Sequence, residues 1–103
     1  MNPPVSPSSL SLYEAILLLQ TEDECKRFLE DLCTPQERTA MEERWRVCQL
    51  LDTKQFSYRD IHQQTGTSLA TIVRIARYLN HEPQQGYQVI LKRIKRKSRA
   101  KTI

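Results

Sequence analysis

The run from Tyr58 to Leu79, YRDIHQQTGTSLATIVRIARYL, leaves a chain of this kind few ways to fold. It reads as two short helices joined by a tight turn at Thr65-Gly66-Thr67. Ile61 on the first helix and Ile72 on the second must meet where the two cross. Gly66 is suited to the left-handed conformation that ends a helix, and Ser68 to capping the next one through its hydroxyl. Leu69, Ala70, Thr71 and Val73 are short side chains on the face that follows, and Arg74 and Arg77 lie one turn further along. A helix-turn-helix is therefore expected over about 57–79. That arrangement places one helix in the major groove of DNA.

The other segments read as helical support for this pair. Only 2 glycines and 5 prolines occur in 103 residues, and helix formers dominate. Residues 1–8, rich in Pro and Ser, are expected to be a disordered arm. A first helix is expected from about Ser9 to Leu19, with Leu12, Ala15, Ile16 and Leu19 on one face. Thr21 to Glu24 form a capping box that starts a second helix ending near Leu32, with Cys25, Phe28, Leu29 and Leu32 inward. Thr34-Pro35-Gln36-Glu37 form another box, opening a long third helix to about Asp52. Its apolar set is Met41, Trp45, Cys48 and Leu51, with Val47 and Leu50 beside it. Ser57 caps a fourth helix and Ser68 a fifth, which ends near Leu79. A sixth is expected from about Pro83 to Ile94, with Tyr87, Val89, Ile90 and Ile94 apolar. Residues 95–103 are expected to fray into a basic tail. The fold class is all-α, with six helices over about 9–94. Helices this short depend on packing, and one chain offers a thin core, so a homodimer is expected.

Charge is divided along the chain. Residues 1–91 carry nine Lys/Arg against twelve Asp/Glu, a balance of −3, whereas residues 92–103 carry seven Lys/Arg and no acid. KRIKRKSRAK reads as an arm for nucleic acid, the alternative being a solvated tail. No apolar stretch approaches the ~20 residues of a membrane span, and the N-terminus lacks the charged start of a secretory signal. The expected compartment is the cytoplasm, with association to the nucleoid. Cys25, Cys33 and Cys48 have neither disulfide nor zinc spacing and read as small core residues. Glu42 and Glu43 do not share a helix face, His62 and His81 lack partners for a triad or a metal, and no phosphate loop is present. No catalytic residue, metal site or cofactor is expected, and the chain is read as not an enzyme.

Leu32-Cys33-Thr34-Pro35-Gln36-Glu37-Arg38, Arg44 on the long helix and Gly66 through Arg74 (GTSLATIVR) together resemble the Trp repressor superfamily. ECKRFLEDLCTPQE resembles its YerC/YecD-type branch. The resemblance implies a bacterial, six-helix, intertwined homodimer that represses transcription at a palindromic operator, with turn helices about 34 Å apart in successive major grooves. By matching position, Leu69, Ala70 and Thr71 would meet base edges, Arg59 would reach a base or phosphate, and Ser68 and Val73 would flank them; Arg77 and the basic tail are read, apart from the resemblance, as phosphate contacts. His62 departs from the alanine common at its position, and reads either as a satisfied, partly exposed residue or as a phosphate contact.

The resemblance also implies a pocket for L-tryptophan or another small effector, at Thr34, Arg44, Arg74, Ile75 and Tyr78. Ile75 stands where tryptophan-responsive relatives have glycine, Tyr78 where they have serine, and Asp31 where an apolar residue is usual. Ile75 and Tyr78 are therefore expected to fill the pocket; the alternative to a ligand role for Arg44 and Arg74 is structural pairing with acids such as Glu42, Glu43 or Asp31. Two alternatives stay open: a tryptophan-responsive repressor, and a helical protein-interaction adaptor without specific DNA binding.

Overall fold

A computed structural model describes residues 9–101; the expected arm at 1–8 and the last two residues of the chain lie outside the described residues. Six helices follow in order: α1 (Leu12–Leu18), α2 (Glu22–Leu32), α3 (Pro35–Thr53), α4 (Tyr58–Thr65), α5 (Leu69–Asn80) and α6 (Gly86–Lys101). The chain divides into two compact units, one ending at Arg38 and the other beginning at Thr39.

Helix starts follow the capping residues. In α1, Ser11 Oγ accepts from the Glu14 amide at 3.0 Å, and the Ser11 amide donates back to Glu14 at 3.3 Å. This box moves the start from Ser9 to Leu12. Thr34 and Glu37 make the same reciprocal pair at α3, at 3.1 and 2.8 Å, and Ser57 and Asp60 at α4, at 3.0 Å each. At α2 the Glu24 amide donates to Thr21, but the Glu24 carboxylate reaches back to the Gln20 amide instead of Thr21. Backbone and hydroxyl hydrogen bonds hold the Glu37 and Asp60 carboxyls below their ordinary range. The sign follows: these caps contribute at neutral pH and are lost as pH falls through the depressed pKa values.

In the first unit, no residue of α1 or α2 is buried. Leu12 and Ile16, expected inward, are 45% and 42% exposed, and Leu32 is 52% exposed. Their spacing is amphipathic, and within the first unit the apolar stripe stays partly exposed.

The second unit holds the core. Val47 and Cys48 of α3, Ile61 of α4, Ile72, Ile75 and Leu79 of α5, and Leu91 of α6 are buried in one cluster. Trp45, Leu50, Leu51, Phe56 and Tyr87 pack around it, with the Trp45 and Tyr87 rings stacked at 6.4 Å. Burial pushes the Cys48 thiol up to about 11, with Asp52 adding to the effect, so it stays protonated. Cys25 and Cys33 are half-buried and free.

Helix α6 departs from expectation at both ends. It starts at Gly86, not Pro83, because Gln85 takes a left-handed φ of 57° and interrupts the backbone. It also continues past Ile94 to Lys101 where a frayed tail is expected. No Gly or Pro follows Gly86, Lys and Arg are good helix formers, and cations at a helix C-terminus complement its dipole. Among the described residues, no helix is long and apolar enough to cross a membrane.

Candidate nucleic-acid interface

The turn between α4 and α5 is built from backbone outward. Gly66 adopts φ 75°, and its amide donates to the His62 carbonyl at 2.9 Å, closing α4. His62 Nδ1 lies 2.7 Å from the Thr67 carbonyl. A carbonyl only accepts, so Nδ1 carries the proton and braces the turn across five residues. His62 is thus satisfied within the motif, and its departure from alanine has a local structural reason.

The Thr67 amide donates to Thr65 Oγ1 at 3.1 Å. Thr67 is only 7% exposed, and its own Oγ1 has no hydrogen-bond partner among the described residues. A buried hydroxyl without a partner is destabilising, and valine keeps the shape without it. Thr67→Val is expected to raise stability by about 1 kcal/mol, read as a higher urea midpoint at an unchanged m-value.

Ser68 caps α5 by accepting from the Thr71 amide at 3.2 Å, and its hydroxyl donates to Thr71 Oγ1 at 2.9 Å. Thr71 keeps its own hydroxyl proton to donate. Ile72, Ile75, Ala76 and Leu79 hold one face of α5 in the core. Leu69 (48% exposed), Ala70 and Val73 (52% exposed) lie on the outer face. Arg59 is exposed on the first turn of α4. The structure thus gathers Ser68, Leu69, Ala70, Thr71 and Val73 around the start of α5.

Arg77 is not free. Its Nε sits 3.1 Å from Glu82 Oε1, an acid that sequence reading did not connect to the site. An ion pair this exposed is worth at most about 1 kcal/mol, but it competes for the same guanidinium that a phosphate would take. A phosphate-gripping role for Arg77 predicts that Glu82→Gln tightens DNA binding about two- to fivefold per subunit, with little change in stability. Fluorescence anisotropy with a labelled duplex reads the first, and thermal melting the second.

Arg44, Thr71, Arg74, Ile75, Tyr78 and Tyr87 line an open cavity of about 270 Å³. The expectation that Ile75 and Tyr78 fill this place is not met. Ile75 turns into the core, 2% exposed, and Tyr78 forms a wall. Nor does either arginine of the pair take an acidic partner among the described residues. Arg74 instead sits over the Tyr78 ring at 5.5 Å, as does Arg77. Hydrogen bonding to Arg74, then to Arg77, pulls the Tyr78 phenol below its ordinary range. Thr34 belongs to the first unit, where it caps α3. Tyr87 as a cavity wall was not foreseen from sequence, where it counted only as an apolar position.

Residues 8–95 match the family described as Trp repressor protein. The chain belongs to that family. Among its similar proteins is the uncharacterised protein YerC of Bacillus subtilis (strain 168). It is 38% identical over 84 residues, which span 82% of this chain and 79% of YerC. The crystal structure of a TrpR-like protein from Eubacterium eligens ATCC 27750 is also similar, with a TM-score of 0.76 and 36% identity, covering 87% of this chain and 91% of that one. The six-helix Trp repressor-like fold and the YerC-type branch agree with the resemblance read from sequence.

Proposed function

We propose that this member of the Trp repressor family is a homodimeric, sequence-specific DNA-binding protein that represses transcription at a palindromic operator. The observation that carries the reading is the division of α5. One face is anchored by four buried side chains, and the other presents Leu69, Ala70 and Val73 outward at its N-terminal end, with Thr71 half-buried at its edge. Short side chains let the backbone approach the groove floor. Ala and Thr meet a thymine methyl, and Thr adds a hydrogen bond, but neither forms the bidentate clamp that Arg makes on guanine. Much of the selectivity therefore comes through water and duplex shape. Arg59 and, once released by Glu82, Arg77 contact base or phosphate at the flanks.

The exposed apolar residues of α1 and α2 support dimerisation. Leu17 is 83% exposed and Leu18 67%, and contiguous apolar surface of this kind favours association. A two-fold dimer sets two copies of α5 about 34 Å apart, one duplex turn. Gel shifts of genomic fragments at two salt concentrations test the proposal. Selective retention of a few fragments at physiological salt is the expected result. An adaptor that binds only protein retains none.

A small effector is a second reading, favoured by the cavity between Arg44 and Arg74. Two guanidinium groups suit a carboxylate, and the Tyr78 and Tyr87 rings suit a flat apolar body. Calorimetric titration with L-tryptophan tests it; a Kd weaker than about 1 mM, under 4.1 kcal/mol of binding, excludes tryptophan as the physiological signal.

A further inference from the structure

The basic C-terminal stretch is a helix face, not a loose tail. Tyr87 packs against the core and Leu91 lies within it, while Gln88 Nε2 donates to the Leu79 carbonyl at 3.0 Å. Lys95 Nζ reaches Asp52 Oδ2 on α3 at 3.2 Å, and Asp52 is only 18% exposed. That contact ties the middle of α6 to the end of α3 and commits one of the cations internally.

Lys92, Arg93, Arg96 and Lys97 are exposed and have no ion-pair partner among the described residues. At 3.6 residues per turn they share an arc of roughly 140°, facing away from Leu91. They span roughly 7.5 Å of helix axis. A DNA strand carries one phosphate per ~3.4 Å, so about two phosphates of each strand lie over that length. Four long cationic side chains in the same distance reach those two and their neighbours on either side. A lipid surface is the poorer match: an interfacial helix turns its apolar face to the membrane, whereas α6 turns Tyr87 and Leu91 into the protein and leaves Val89, Ile90 and Ile94 only about half exposed beside four full charges.

We propose that the outer face of α6, formed by Lys92, Arg93, Arg96 and Lys97, is a sequence-independent clamp for the phosphate backbone of duplex DNA, separate from the reading face of α5. The inference rests on the DNA-binding reading above and extends it. The α6 face sets affinity and salt dependence, and α5 sets sequence preference.

The test measures binding of the 103-residue protein to a 30-bp duplex of arbitrary sequence over a series of NaCl concentrations. Replacing all four cations with Gln is expected to lower the slope of log K against log salt by about 3.6 per bound subunit. Lys92/Arg96→Gln alone is expected to lower it by about 1.8, which keeps the test open should the fourfold variant fold poorly. Lys95→Gln, whose ammonium is already held by Asp52, is expected to change the slope by well under about 0.9. The charge-preserving pair Arg93→Lys and Arg96→Lys is expected to leave it unchanged. Slopes that stay at the wild-type value in the Gln variants overturn the proposal. So does wild-type binding to phosphatidylserine vesicles that those variants lose while they still hold the duplex. The two readings separate in the same experiment. If the slope falls as stated but the wild type prefers no sequence, the clamp stands and the operator reading fails. If sequence preference is present and the slope is unmoved, the reverse holds.

Discussion

Ile72→Ala is expected to remove about 2–5 kcal/mol of stability, the range for truncating a fully buried isoleucine. Ile72 is completely enclosed, and Val47, Cys48, Ile61, Ile75, Leu79 and Leu91 form the same cluster. The loss has two parts: transfer free energy of the deleted methyl and methylene groups, and the cavity they leave. The second part is large here because Ile72 is contributed by a helix pinned at its start by the Ser68 cap and along its length by Ile75, Ala76 and Leu79. The surroundings have little freedom to close the gap. Against a total of about 5–15 kcal/mol for a domain, such a loss leaves α4 and α5 poorly held. Urea unfolding monitored by circular dichroism should show the midpoint falling sharply. A change under about 0.5 kcal/mol, typical of surface positions, contradicts the packing described for this cluster.

Ala70→Asp has the opposite signature. Ala70 is exposed at the second position of α5, where a carboxylate interacts favourably with the helix dipole. Stability is therefore expected to hold or rise by about 0.3–1 kcal/mol. DNA binding is expected to collapse. The variant places a negative charge against groove edges and phosphates and removes a contact to a thymine methyl. At about 1–3 kcal/mol per lost base contact, two subunits lose about 2–6 kcal/mol, so operator affinity drops at least roughly thirtyfold. Thermal melting and fluorescence anisotropy on the same preparation separate the two effects. Unchanged binding with a raised melting temperature means that this face of α5 does not meet DNA.

The helix-turn-helix was legible because each of its demands is local. The αL turn needs a glycine, the cap needs a hydroxyl, and the crossing needs two isoleucines. All stand in one stretch of 22 residues, and Gly66, Ser68, Ile61 and Ile72 take those roles. The Thr34 and Ser57 boxes were legible for the same reason. The start of α1 is less legible because Ser8, Ser9 and Ser11 crowd together in the sequence, and only Ser11 has Glu14 at the right spacing. Less was legible where tertiary packing decides. Periodicity named Val89, Ile90 and Ile94 as the apolar positions of α6, yet Leu91 is the residue that reaches the core, while those three are about half exposed. The continuation of α6 is not legible because a run of like charge reads as solvated, and the Lys95–Asp52 contact joins residues 43 apart. Glu82 gave no signal either, since its role depends on a loop returning to Arg77. The cavity between Arg44 and Arg74 stays open because Ile75 is drawn into the core, a direction that residue volume alone does not reveal.

Selection of bound sites from a random duplex pool, with the purified 103-residue protein, tests the groove-reading role of α5 outright. An enriched palindrome is expected, its half-sites centred about 10 bp apart, one helical turn. Ala70→Asp should fail to recover it, and the fourfold α6 variant should recover the same sequence at lower yield. A pool that emerges from successive rounds without an enriched sequence, or with a single unpaired half-site bound by one subunit, contradicts that role.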